Sequence, residues 1–157
     1  MQIADILTPS RTLCEVQAAS KKRVLEDLSI LFAKDMPNLS SKEVFQCLLA
    51  REKLGSTALG NGIAIPHARI SNSGGIVISA FMHTQTPIDF DAPDNQPVDL
   101  FFALLVPDNN PTAVQQHLEL LAEIAEMFSD KIFCEQLRQK DKSIDCFRAL
   151  VRKEAYV

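Results

Sequence analysis

The sequence predicts an α/β (α+β) fold: a three-layer domain with a mixed β-sheet flanked by helices on both faces. Three observations carry this. Apolar residues recur at helical spacing toward both ends of the chain, and two runs rich in β-branched and aromatic residues occupy the middle. The length of 157 residues suits one sizeable core, so residues 1–157 are read as a single domain. Strand order and direction stay open at this point.

In chain order, residues 1–19 read as an extended lead-in, anchored by Ile3, Ile6 and Leu7 and broken at Pro9-Ser10. Ser20 is a good N-cap for a helix to about Lys34, with Val24, Leu25, Leu28, Leu31 and Phe32 as its apolar stripe. A loop over residues 35–38 follows. Ser40 with Glu43 three positions on predicts a capping box, and the helix it opens turns Val44, Phe45, Leu48 and Leu49 inward. Gly55 suits the left-handed position after that helix, which leaves Arg51 on or near its last turn. Ile63-Ala64-Ile65 reads as a short apolar strand that stops at Pro66-His67.

Residues 75–83 predict a strand, residues 87–90 a short edge strand, and the nearly continuous apolar run 98–106 a central strand buried on both faces. Asn110 as N-cap and Pro111 as first helical residue open a helix to about Phe128. Its inward face is predicted as Val114, Leu118, Leu121, Ile124, Ala125 and Phe128, with His117 at the edge. Ser129 and Ser143 are read as caps of two shorter helices. The first carries Ile132, Phe133 and Leu137, the second Ile144, Phe147, Leu150 and Val151. Residues 153–157 are expected to fray.

Composition narrows the function. A net charge of −4 and a pI near 5.3 argue against a binder of nucleic acid or of membrane surfaces, which show basic patches. The longest apolar run, Leu100 to Val106, is too short to span a bilayer. No basic segment followed by an apolar one opens the chain, so no secretion signal is expected. Cys14, Cys47, Cys134 and Cys146 are scattered without a CxxC pair, which suits free thiols in a reducing cytoplasm better than a zinc site.

The chemistry concentrates between Arg51 and Arg69. Gly55, Gly60 and Gly62, with Ser56, Thr57 and Asn61 between them, form a loop that reads as an anion cradle, although it matches neither GxxxxGK[ST] nor GxGxxG. An arginine stands at one end and His67 at the other. A neutral imidazole is nucleophilic and can take up a phosphoryl group as a labile N–P bond. Such a transfer needs positioning and positive charge, which Arg51 can supply as a planar fork and loop N–H groups can supplement. On spacing alone, an ordinary loop histidine and a solvated arginine remain the competing reading. His117 reads either as a half-buried packing residue or as a partner to His67. His83 reads as a surface or strand-end residue, not as a ligand. A metal site built from His67, His83 and His117 has no HxH or HExxH spacing behind it. A serine hydrolase has no GxSxG elbow. Asp89 and Asp91 flank Phe90 as an exposed pair.

The run Leu54-Gly-Ser-Thr-Ala-Leu-Gly-Asn-Gly-Ile-Ala-Ile-Pro-His67 resembles the active-site signature of enzyme IIA domains of the fructose/mannitol class. These belong to the bacterial phosphoenolpyruvate-dependent phosphotransferase system. The block Pro87-Ile-Asp-Phe-Asp-Ala-Pro-Asp-Asn-Gln-Pro-Val-Asp-Leu-Phe-Phe-Ala-Leu-Leu-Val-Pro107 resembles the nitrogen-related branch, the IIA-Ntr proteins. The resemblance extends over essentially the whole chain. It implies a phosphocarrier in which His67 accepts a phosphoryl group from a phosphohistidine on a small HPr-like protein (NPr), with Arg51 and His117 in support. It implies no metal or organic cofactor. One departure stands out: Ala68-Arg69 follows His67 where relatives often carry a Gly-Lys type pair. No fused permease or HPr-like domain is expected, which favours a stand-alone regulator over a sugar-transporter subunit.

Three functions follow as expectations. The leading one is a regulator whose phosphorylation state acts on target proteins; in relatives these lie in nitrogen and potassium metabolism. The second is the IIA of a fructose or mannitol transporter, passing phosphate to a IIB domain. The third is a non-catalytic partner-binding module. The first predicts catalytic roles for His67, Arg51 and His117, and phosphate or partner contacts from Ser56, Thr57, Gly60, Asn61, Gly62 and Arg69. It also predicts a shallow apolar rim around His67 instead of a deep pocket.

Overall fold

The computed structural model describes residues 2–71, 73–108 and 111–155, and for residues 111, 113, 114, 154 and 155 the backbone alone. The elements are α1 (Ile3–Ile6), a 3-10 turn (Pro9–Arg11), β1 (Thr12–Val16), α2 (Lys21–Asp35), α3 (Ser41–Lys53), β2 (Ala58–Gly60), β3 (Ile63–Ala64), β4 (His67–Ile70), β5 (Ile78–Ile88), β6 (Val98–Pro107), α4 (Pro111–Phe128), α5 (Lys131–Arg138) and α6 (Ser143–Ala155).

The strands form one mixed sheet in the order β1-β5-β6-β3-β2, and β4 also pairs with β6. The long apolar run is the central strand. β6 is antiparallel to β5 and parallel to β3 and β4, while β1 runs parallel to β5. β3 and β4 keep the same register on β6: Ile63 and Ala64 face Leu100 and Phe101, and His67 to Ile70 face Leu104 to Pro107. They are one strand interrupted at Ile65-Pro66. Pro66 has no N–H to offer the ladder, yet its carbonyl still accepts the Leu104 N–H at 2.9 Å.

Alternation along β5 and β6 divides the core in two. Ala80, Met82, Phe101, Ala103 and Leu105 pack under α2 and α3 with Val24, Leu28, Phe32, Val44 and Leu48. Phe81, Phe102 and Leu104 pack on the other side with Ile124, Phe128, Leu137 and Leu150, from α4, α5 and α6. Each of the larger side chains among them contributes about 2 kcal/mol by leaving water. The three-layer α/β architecture is therefore as the sequence predicts. Ile3, Ile6 and Leu7 are buried anchors as expected. Ser20 and Ser40 accept hydrogen bonds from the Arg23 and Glu43 amides and start α2 and α3.

Several expectations are corrected. The lead-in contains a strand, β1, whose partner Phe81 is far along the chain, so local sequence could not reveal it. Residues 78–88 form one strand in place of a strand ending at residue 83 and a second over 87–90. Residues 74–75 form a turn, which delays the start of β5 to Ile78. On α4 the buried residues are His117, Leu120, Ile124, Met127 and Phe128, and Leu118 is 60% exposed. Two apolar stripes compete on that helix, and the sheet takes the one containing His117. Asp130, not Ser129, caps α5 through the Phe133 amide. Ser143 is the first residue of α6 and its hydroxyl accepts the Cys14 N–H. Ile132 is exposed. Residues 153–155 continue α6, where Lys153 pairs with Asp130 at 2.7 Å instead of fraying. Gly55 adopts φ +152, a positive value but not the compact left-handed one expected. The predicted cap Asn110 and residues 156–157 lie outside the described residues, as does the side chain of Val114.

Candidate active site

The broken strand creates the site. Ala68 and Ile70 belong to the core under α2 and α3, so His67 and Arg69 face the side that α4 crosses. There the His117 ring meets the His67 ring edge to face, with centroids 5.1 Å apart and planes at 70°. His67 is half-buried and His117 is 6% exposed. The interruption at Ile65-Pro66 also frees the Ile65 carbonyl from the ladder. It lies 2.7 Å from His67 Nδ1. A carbonyl only accepts, so Nδ1 carries the proton and donates, and the neutral ring keeps its lone pair on Nε2.

Electrostatics keep both rings neutral. Burial pushes the His67 pKa below its ordinary value; the Ile65 hydrogen bond and the Glu52 carboxylate pull it up, and Arg51 pushes it further down. His117 is pushed down to about 4, first by burial, then by the neighbouring His67, against whose protonated form it would be repelled, and by the positive charge of Arg69 and Arg51. Its Nε2 is buried and makes no hydrogen bond. A buried nitrogen left in that condition is costly, and an anion arriving at His67 would offer it a partner.

His67 opens into a cleft of about 330 Å³ lined by Arg51, Ser56, Thr57, Ala58, Leu59, Ile65, Leu121, Ala122 and Ala125. Arg51 sits on the last turn of α3, with Nη1 donating to the Gly55 carbonyl at 2.9 Å. The remaining guanidinium donors are free to meet an anion. Leu59 and Leu118, the latter one residue beyond His117, are exposed large apolar side chains, and Leu54 is 84% exposed. Arg69 is exposed and does not line the cleft.

The glycine loop is not the cradle its composition suggests. Residues 58–64 form a hairpin, and Asn61 (φ +57) and Gly62 (φ +82) make its two-residue turn. The Asn61 N–H donates to Asp94 Oδ2 at 2.9 Å, and that hydrogen bond holds the Asp94 carboxyl below its usual range. A Cβ on Gly60 would touch the same carboxylate, and one on Gly62 would lie 2.6 Å from Arg138 Nη2. The chain's own Asp94 fills the place of an anion, and Gly60, Asn61 and Gly62 lie away from the His67 cleft. Ser56 and Thr57 do line it, but both hydroxyls are engaged. Ser56 donates to the Phe90 carbonyl at 2.6 Å and Thr57 to the Glu52 carboxylate.

His83 is not a surface residue. It lies inside β5, 6% exposed, with Nε2 3.8 Å from Asp99, which Arg138 grips through Nε at 2.9–3.0 Å. It stays well apart from the His67–His117 pair in register, opposite Leu100 where His67 is opposite Leu104. Among the described residues, no cluster of histidines, cysteines and carboxylates could hold a metal ion. Sequence reasoning missed Glu52 and Lys21. Glu52 is a buried carboxylate paired with Lys21 Nζ at 3.0 Å. Its sign in the sequence was slight: a glutamate beside Arg51 whose partners lie on another helix and a later loop.

A histidine whose Nδ1 proton is held by a backbone carbonyl, an arginine lining the same cleft and a second histidine against its ring thus sit together on an α/β scaffold. Residues 5–153 match the family described as "Phosphoenolpyruvate-dependent sugar phosphotransferase system, EIIA 2", and the chain belongs to that family. Within it, the chain is similar to nitrogen regulatory proteins. It is 49% identical over 138 residues to that of Pseudomonas aeruginosa, covering 88% of this chain and 87% of the relative. It is 40% identical over 154 residues to that of Escherichia coli, covering 98% and 92%. The crystal structure of nitrogen regulatory protein IIA-Ntr from Neisseria meningitidis superposes with a TM-score of 0.86 at 42% identity, covering 94% of this chain and 98% of that one. Among the described residues, no helix is long and apolar enough to cross a membrane.

Proposed function

We propose that this chain is a cytoplasmic phosphocarrier of the nitrogen-regulatory branch, with His67 as the phosphoryl acceptor. The donor is a phosphohistidine on a small HPr-like protein, and the phosphorylation state of His67 regulates target proteins. The observation that carries this reading is the 2.7 Å contact between His67 Nδ1 and the Ile65 carbonyl, which leaves the Nε2 lone pair available beside Arg51.

The step balances without a cofactor. His67 Nε2 attacks phosphorus, the donor's N–P bond breaks, and the electron pair of that bond returns to the donor imidazole. The proton stays on His67 Nδ1, donated in a hydrogen bond to the Ile65 carbonyl, so the phosphorylated ring shares its positive charge between two nitrogens. Arg51 forks onto the equatorial oxygens, where charge is spread in the transition state. His117 turns its unpartnered Nε2 to the same oxygens and donates to them as the neutral Nε2–H tautomer, with no proton gained or lost. Ser56 and Thr57 shape the cleft, and Arg69 adds positive charge near His117 at its edge.

The likeness to nitrogen regulatory proteins supports a regulator in preference to a sugar-transporter subunit. The test is intact mass of the wild type and of His67→Ala after incubation with phosphoenolpyruvate, enzyme I and the HPr-like donor. One acid-labile phosphoryl group on the wild type and none on the variant is the expected result. No added mass with an active donor would end the carrier reading and leave a binding module.

A further inference from the structure

We propose that Lys21 and Glu52 are positioning residues for His67, acting through Thr57 and Ile65. The inference rests on His67 being the phosphoryl acceptor. A continuous series of polar contacts leads from the start of α2 to the reactive ring. Lys21, the first residue of α2, places Nζ 3.0 Å from Glu52 Oε2. Glu52 is 6% exposed, and a buried carboxylate is tolerated only where charge and hydrogen bonds satisfy it. Its remaining partners are the N–H and the hydroxyl of Thr57. The Thr57 carbonyl accepts the Ile65 N–H at 3.1 Å, and the Ile65 carbonyl accepts the His67 Nδ1–H at 2.7 Å.

Lys21 also reaches the segment that holds Ser56, a residue of the cleft. Its Nζ lies 3.2 Å from Asp91 Oδ2 and 4.6 Å over the Phe90 ring, and the Phe90 carbonyl holds the Ser56 hydroxyl. One ammonium therefore bridges the end of α3, at Glu52, and the segment after β5, at Asp91.

The consequence is chemical as well as structural. Free neutral histidine in water prefers its proton on Nε2, the nitrogen that must attack phosphorus. The Ile65 carbonyl reverses that preference, and the Glu52–Thr57 contact holds the loop against which Ile65 is fixed. Loosening it returns the proton toward Nε2 and lets the ring turn away from Arg51. A role confined to stability would leave the tautomer unchanged in any variant that folds.

The experiment compares wild type, Glu52→Gln, Thr57→Val, Thr57→Ser and the Glu52→Gln/Thr57→Val double variant. It measures phosphoryl uptake from the HPr-like donor by intact mass, and the His67 tautomer by 15N NMR of the imidazole. Glu52→Gln and Thr57→Val are expected to slow uptake about 10- to 100-fold, the scale of a small misplacement, and to raise the Nε2–H form. Thr57→Ser keeps the hydroxyl and should behave as wild type. The double variant should be no slower than the slower single one, because both changes break one series of contacts. Folded Thr57→Val with the wild-type rate and tautomer would overturn the inference. So would a double variant whose losses simply add. Should Glu52→Gln fail to fold, Thr57→Val against Thr57→Ser decides the matter. A wild type that takes up no phosphoryl group would refute the phosphocarrier reading instead, while a tautomer shift in Thr57→Val would still uphold the positioning.

Discussion

The His67 and His117 rings touch edge to face at 5.1 Å, one on a strand and one on a helix, and both are held neutral. Two imidazoles this close cannot both be protonated without repulsion in a site that already holds Arg51. The pair therefore stays neutral at neutral pH, and its cost appears when the pH falls.

That cost predicts acid sensitivity. His117 ionises at about 4 in the folded protein against 6.5 ordinarily, so between these values the unfolded chain binds more protons. Stability from this group is full above pH 6.5 and is lost as pH drops toward 4, by up to about 3 kcal/mol. His67 and His83 are shifted in the same direction and add to it. Urea melts between pH 4 and 7 should show this slope, and His117→Gln should flatten it.

Arg51 should matter for rate and little for folding. Its visible contact is an exposed hydrogen bond to Gly55. Arg51→Lys keeps the charge but loses the fork, and phosphoryl uptake should fall about 10- to 100-fold with stability changed by no more than about 0.5 kcal/mol. Single-turnover uptake and a thermal melt on the same sample check both halves.

The exposed apolar side chains at the cleft predict how the donor docks. Leu118 is open to solvent beside His117, and Leu59 lines the cleft. Leu118→Asp places a charge where an apolar partner surface would sit. The Michaelis constant for the donor should rise by about tenfold or more, with the melting temperature unchanged. An unaltered Michaelis constant would place donor binding on another face.

Gly62→Ala should damage the fold and spare the chemistry. Its φ of +82 is strained for alanine, and the added Cβ would sit 2.6 Å from Arg138 Nη2 and 3.1 Å from Asp99 Oδ1. A loss of about 1–3 kcal/mol in a urea melt is expected, with phosphoryl uptake retained in the folded fraction. Loss of uptake in protein that is still folded would bring the hairpin turn back into the site.

Much of the fold was legible in local pattern. The stripes of α2 and α3, the central strand β6 and the caps Ser20 and Ser40 depend on residues a few positions apart, and those contacts form wherever the pattern occurs. The strand β1, the length of β5 and the inward face of α4 were not legible. Each is decided by a partner distant in the chain, as Thr12 is by Phe81. At the candidate site the sequence already singled out His67, Arg51 and His117 by type and setting. It read the glycine loop as an anion cradle, and composition alone cannot say that Asp94 takes the hairpin amide.

By itself, then, the sequence determined which segments are helix or central strand and singled out His67, Arg51 and His117 as candidates, since both follow from residue type and short-range spacing. Tertiary structure alone decided that β3 and β4 are one strand broken at Pro66, so that a freed carbonyl orients His67. It also decided that Leu120 and not Leu118 turns inward, bringing His117 to that ring, and that Glu52 finds Lys21 and Thr57. The physical reason is the same in each case: burial must satisfy every polar group at once, and the partners that do so come from elements remote in sequence.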